Sequence, residues 1–223
     1  MYDIWSPFDP NPYDEPDQRA RLEKRLVELQ QTIHVVLLDL RPVVENVRRD
    51  ENQVGSAFRL LAGYTNDIPP HPNDLPEIER LCRLTREIGG TCQGMIQEKL
   101  MRLDGNAAHP SSLPFFLDAL HFTKRGDSFG PERRQLALWG LARLARWHNL
   151  PEAYATLLAG LDDHHPEVRW TAADLLLDAY LDARRAVPAE VRLKLAQMAK
   201  NDPDPDLRNQ FSRYLDEPWG NKE

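Results

Sequence analysis

Few residues in this chain are spaced for chemistry. His164 and His165 invite a metal reading, but neighbours on a turn point apart, and no cysteine or second histidine cluster lies within reach to complete a ligand set. The carboxylates Asp162 and Asp163 precede them in the same turn-forming run. Gly89-Gly90-x-x-x-Gly94 has the look of a phosphate cradle, yet no strand precedes it and no Lys-Ser/Thr follows it. H-E-x-x-H, G-x-S-x-G, Walker A and dinucleotide-glycine patterns do not occur. Cys82 and Cys92 lie ten residues apart on one expected helix, about 15 Å of rise, too far for a disulfide within it. The expectation is a chain without catalytic residues, metal or cofactor, with its thiols reduced in a cytoplasmic setting.

What carries more information is charge and aromatic placement. The net charge is −7, unevenly spread. Residues 1–17 hold Asp3, Asp9, Asp14, Glu15 and Asp17 with no base. Lys124, Arg125, Arg133, Arg134, Arg143 and Arg146 outweigh Asp127 and Glu132. Further on, Asp162, Asp163, Glu167, Asp174, Asp178 and Asp182 face only Arg169. Alternating fields of this kind suit protein partners better than a polyanion. The expected contact residues are Arg133, Arg134, Trp139, Arg143, Arg146, Trp147 and Trp170, with Tyr2, Trp5 and Phe8 in an N-terminal arm. Arg143 and Trp147, four apart, share a helix face and are expected to stack.

Those residues must be positioned by helices. Gly is scarce at 11 and Pro plentiful at 18, clustered as turn punctuation would be. No run approaches the roughly 18 apolar residues of a membrane span, and the N-terminus does not read as a signal peptide. Residues 1–16 read as an extended acidic, aromatic arm that either packs on its own domain or docks on a partner. From residue 17 to about 63, Leu22, Leu26, Leu29, Ile33, Val36, Leu40, Val43 and Val47 make an unbroken heptad seam, with a kink or break expected near Pro42. A proline-rich reversal over 63–76 leads to a second helix over about 76–103. Residues 17–104 are thus expected to form a long helical hairpin, its seam filled internally or by a second copy.

The remainder, 105–217, is self-similar with a period of roughly 35–40 residues, before a short tail at 218–223. The clearest unit runs from Leu157 to Leu181, with Pro166, Val168 and Arg169 opening a helix whose Ala172, Ala173, Leu176 and Leu177 face inward. A second runs from Leu193 to Leu215, with Pro203, Leu207, Arg208, Phe211 and Leu215 in comparable places. A looser first unit aligns Pro131 and Arg134 with these.

At Asp163-His164-His165-Pro166-Glu167-Val168-Arg169, and with Leu for Val at Asp202-Pro203-Asp204-Pro205-Asp206-Leu207-Arg208, the chain resembles the HEAT-repeat family. The resemblance covers about 110–217 and implies an all-α protein in which helix pairs stack into a short α-solenoid behind the hairpin. It implies structural roles for Asp163, Arg169, Asp202 and Arg208, and a non-catalytic adaptor that binds other proteins. The alternative is nucleic-acid binding through the basic stretch 124–146, as in HEAT-like alkylpurine DNA glycosylases; HEAT-like bilin lyases are a weaker resemblance that no residue singles out.

Overall fold

A computed structural model of the chain describes residues 16–46, 68–88, 91–124 and 127–216. The arm bearing Tyr2, Trp5 and Phe8, the rest of the heptad seam from Val47, and the tail at 218–223 lie outside the described residues. So does Arg125. Within the described residues the protein is all-helical, with no strand. Among the described residues no helix is long and apolar enough to cross a membrane.

The helices are α1 (Pro16–Asn46), α2 (Leu75–Ile88), α3 (Thr91–Ala107), α4 (Leu113–His121), α5 (Gly130–His148), α6 (Pro151–Gly160), α7 (Pro166–Asp182), α8 (Ala189–Asn201) and α9 (Pro205–Asp216). Single 3-10 turns, Pro72–Asp74 and Pro110–Ser112, lead into α2 and α4. Proline opens α6, α7 and α9 and follows the first residue of α5, where the missing N–H has no intrahelical acceptor to lose. Asn149 ends α5 in the left-handed conformation at φ 52°, its N–H closing on the Ala145 carbonyl, and so turns the chain into α6.

Two expectations are corrected. The single helix read over 76–103 is two helices, α2 and α3, separated by two residues and packed against each other. Gly89 and Gly90 lie outside the described residues. Of the kink or break expected near Pro42, a break does not occur: α1 carries Pro42 inside it and continues to Asn46. Leu40 and Val44, both fully buried on either side of the proline, give that turn tertiary support that outweighs one lost hydrogen bond.

The heptad seam of α1 is buried only in its second half. Ile33, Val36 and Leu40 are buried while Leu22 is 43% exposed. α2 packs on that C-terminal half, and polar contacts hold the two together. His34 Nδ1 meets Asp74 Oδ1 at 2.6 Å, Arg41 donates to Glu77 at 2.7 Å, and Arg80 spans Glu77 and Glu45.

From α2 onward, consecutive helices pair: α2 with α3, α4 with α5, α6 with α7, and α8 with α9. The second members also stack on one another, α3 on α5 and α5 on α7. One apolar cluster runs from Ile33 to Tyr214. Two of these packings rest on glycine. A Cβ on Gly140 would fall 2.3 Å from the buried Phe116 ring, and one on Gly105 would fall 2.2 Å from the Trp139 ring. Both glycines let an aromatic side chain lie directly on a helix backbone.

Candidate partner-binding face

The stack of α3, α5 and α7 is joined by arginines that reach from one turn to the next. Arg134 on α5 donates Nε to Asp163 Oδ2 at 2.7 Å and Nη2 to Oδ1 at 3.0 Å. Arg169 on α7 repeats this on Asp202, at 2.8 and 2.7 Å. Each of these aspartates also accepts a hydrogen bond from the backbone two residues on, His165 N at 2.8 Å and Asp204 N at 2.9 Å, which shapes its own turn. The arginine six residues after each aspartate donates back to that aspartate's carbonyl: Arg169 to Asp163 O at 3.0 Å and Arg208 to Asp202 O at 2.5 Å.

The same six-residue step occurs once more, there to the aspartate's carboxylate instead of its carbonyl. Arg133, six residues after Asp127, donates Nη1 to the Asp127 carboxylate at 2.6 Å, and Nε to Gln97 on α3 at 3.0 Å. The turn Asp127-x-x-Gly130-x-x-Arg133 is thus similar to the turns at Asp163 and Asp202, with Gly130 where those have proline. Arg133 grips its own turn and Arg134 the next; in the following unit Arg169 does both.

These pairings place the expected contact residues. Arg133 is 2% exposed and so cannot be a surface contact. Arg134 is held on Asp163 with little of its side chain exposed. Arg146 pairs with Asp182 at 2.6 Å and lies over the Trp147 ring at 4.7 Å. Arg143 donates to the Gly105 carbonyl at 2.7 Å and His148 meets the Ala108 carbonyl at 2.6 Å, both meeting carbonyls at the C-terminal end of α3. Arg143 lies over Trp139 at 5.1 Å, one turn back, where the spacing argument had set it against Trp147. Lys124 donates to the Glu87 carbonyl at 2.6 Å. The basic stretch is thus largely engaged inside the protein.

What stays open is a groove of about 440 Å3 across α3, α5 and α7. Trp139 and Trp170 line it with Phe129, Glu98, Glu132 and Asp174. Trp170 is 43% exposed, the one tryptophan among the exposed large apolar side chains of the described residues. The structure brings Trp139, Trp170, Arg143 and Arg146 to this stack of helices. Sequence reasoning missed Arg102, which lines the groove, pairs with Glu98 at 3.0 Å and lies over Trp139 at 5.8 Å. It also missed the α7 carboxylates as one face. Asp174, Asp178 and Asp182 follow Trp170 at steps of four, a signal that was present in the sequence.

Partial burial raises the Asp178 carboxyl to about 6, with Asp174 and Asp182 adding to the rise and Arg146 opposing it. Asp174 accepts a hydrogen bond from the Tyr214 hydroxyl at 3.0 Å.

A second, larger groove of about 770 Å3 lies between α6 and α8. Tyr154 and Tyr180 stack in it at 4.6 Å. In it Lys194 pairs with Asp162 and Arg185 donates to the Asn149 amide oxygen. His164 and His165 gather no ligand set: among the described residues no group of three or more histidine, cysteine or acidic side chains is placed to hold a metal ion.

No protein-family model matches the chain, and no curated protein or solved structure shows significant similarity to it.

Proposed function

We propose that this chain is a non-catalytic adaptor. In this reading α4 to α9, with α3 stacked against them, form a short HEAT-like α-solenoid, and α1 to α3 are the helical portion that caps it. A protein partner is held on the face of α3, α5 and α7. The observation that carries the reading is the open groove there, walled by Trp139 and the exposed Trp170. An exposed aromatic beside half-buried charge is the composition of an interface centre rather than of an ordinary surface. The Asp–Arg links between turns support the repeat assignment, because a stack of helix pairs needs each junction satisfied by its neighbours. The arm with Tyr2, Trp5 and Phe8 is a second contact in this reading, and self-association through α1 a third. α1 leaves Val27, Val35 and Leu38 exposed besides Leu22.

Nucleic-acid binding is less well supported. Arg133, Arg134 and Arg146 are paired with Asp127, Asp163 and Asp182, and a base already neutralised releases few counterions from a phosphate backbone.

The test is affinity purification of the full chain and of Trp170→Ala from the cells that make it. A protein retained by the first and lost by the second supports the adaptor reading. Identical protein sets from both, or retention of nucleic acid alone, would reject it.

A further inference from the structure

Resting on that reading of the face, we propose that the groove across α3, α5 and α7 takes a lysine or arginine side chain from an extended basic segment of the partner, against the rings of Trp139 and Trp170 and the carboxylates of Asp174 and Glu132.

Size sets the first limit. About 440 Å3 admits one or two side chains and not a folded element. Its walls come from three helices of one continuous stack, so the groove exists before anything enters it.

Charge decides the kind of side chain. Glu98, Glu132 and Asp174 line the groove against one base, Arg102, and that base is paired with Glu98. Among the described residues, no ion pair to Glu132 or Asp174 is formed; the Tyr214 hydroxyl that reaches Asp174 is a neutral donor. An acidic or purely apolar guest would leave those carboxylates desolvated without a counter-charge, whereas a cation would meet them. Next along α7, Asp178 adds a further carboxylate; partial burial first, and the neighbouring Asp174 and Asp182 second, raise its carboxyl.

The rings add direction. Trp139 already lies beneath two guanidinium groups, Arg102 at 5.8 Å and Arg143 at 5.1 Å, so it walls the groove and leaves the cation-binding ring face to Trp170. Trp170 has no guanidinium or ammonium group over its ring among the described residues and is 43% exposed. It offers an aromatic surface to an incoming cation, with Asp174 one helical turn beyond it. The stem of a lysine or arginine would cover the apolar parts of Phe129 and Leu175 in the same groove.

The experiment uses the full chain and three fluorescein-labelled twelve-residue peptides. One alternates arginine and serine, one replaces each arginine with citrulline, and one replaces it with glutamate. Anisotropy should show binding of the arginine peptide alone, weakening as salt rises. Trp170→Ala should weaken it about 3- to 10-fold, the loss of one cation–π contact. Asp174→Asn, which still accepts from Tyr214, should weaken it by a similar factor. Thermal melts of both variants guard against a folding defect, and Trp170→Phe should restore most of the affinity lost in Trp170→Ala. Equal binding of the arginine and citrulline peptides, or arginine-peptide binding indifferent to both substitutions, overturns the proposal. If the citrulline peptide binds and Trp170→Ala abolishes it, the face remains a docking site and only the basic-segment inference falls. If no peptide binds and Trp170→Ala retains the wild-type partners, both fall.

Discussion

Arg169 and Asp202 form a two-pronged ion pair between neighbouring helix pairs, with both members almost fully buried. Burial alone would raise the Asp202 carboxyl. The hydrogen bonds from Arg169, aided by the backbone N–H of Asp204, outweigh it and hold the group below its ordinary value.

Asp202→Ala is therefore expected to destabilise the protein by about 3–5 kcal/mol, because it leaves a buried guanidinium without its counter-charge. Urea unfolding followed by circular dichroism measures this. Replacing both partners, Arg169→Met with Asp202→Leu, should recover much of the loss, since apolar residues of similar volume need no partner. The sign of the pH effect follows from the lowered value. Stability due to Asp202 is complete above about pH 4 and is lost as pH falls through the carboxyl's folded value.

Asp104 has the opposite sign. It is fully buried on α3, and neither of its oxygens completes a hydrogen bond. Burial pushes its carboxyl up to about 7 from 3.8; the Ser112 hydroxyl opposes that rise without completing a hydrogen bond to it, and Glu79 reinforces it. The folded state then holds a proton that the unfolded state releases. Stability due to this group is full below about pH 4 and lost progressively up to about pH 7, at about 1.4 kcal/mol per pH unit. Asp104→Asn should flatten that slope and raise stability at pH 8, as read from urea unfolding at pH 5 and pH 8.

Gly140→Ala forces a methyl group to within 2.3 Å of the Phe116 ring at a junction where both residues are buried. The expected loss is about 1–3 kcal/mol from overpacking, larger than the roughly 1 kcal/mol that alanine gains over glycine in a helix. Gly130→Ala is the control. Its nearest neighbour would be 3.6 Å away, and the change should stay within about 0.5 kcal/mol. Thermal melts of both variants separate the cases.

Cys82 is buried, and burial pushes its thiol up to about 12. In a Cys92→Ser background the native protein should not react with a thiol reagent at pH 8, and should react once in denaturant. Rapid labelling without denaturant would contradict the packing of α2.

Helical class was legible because prolines and apolar spacing are local signals. So was the inward face of α7: Ala172, Ala173, Leu176 and Leu177, read as facing the core, are all buried. The failures are equally physical. Pro42 was read by its local penalty, while Leu40 and Val44 supply tertiary burial that local reading cannot see. The first unit was aligned on its proline, and the step from Asp127 to Arg133 went unread. Arg133 and Arg134 looked like an exposed basic patch because their acidic partners on the turns are not neighbours on the helix: Asp163 lies a full unit away. The α7 carboxylates were counted as charge and not placed as a face.

The division of labour at Asp127 and Asp163 makes the joints unequal in how they fail. Losing Arg133 disables one hinge and losing Arg134 another, each leaving its companion intact. Losing Arg169 disables two at once. The N-terminal end of the stack divides the two contacts between two side chains and the C-terminal end combines them in one, so a single lesion removes more at Arg169 than at Arg133 or Arg134.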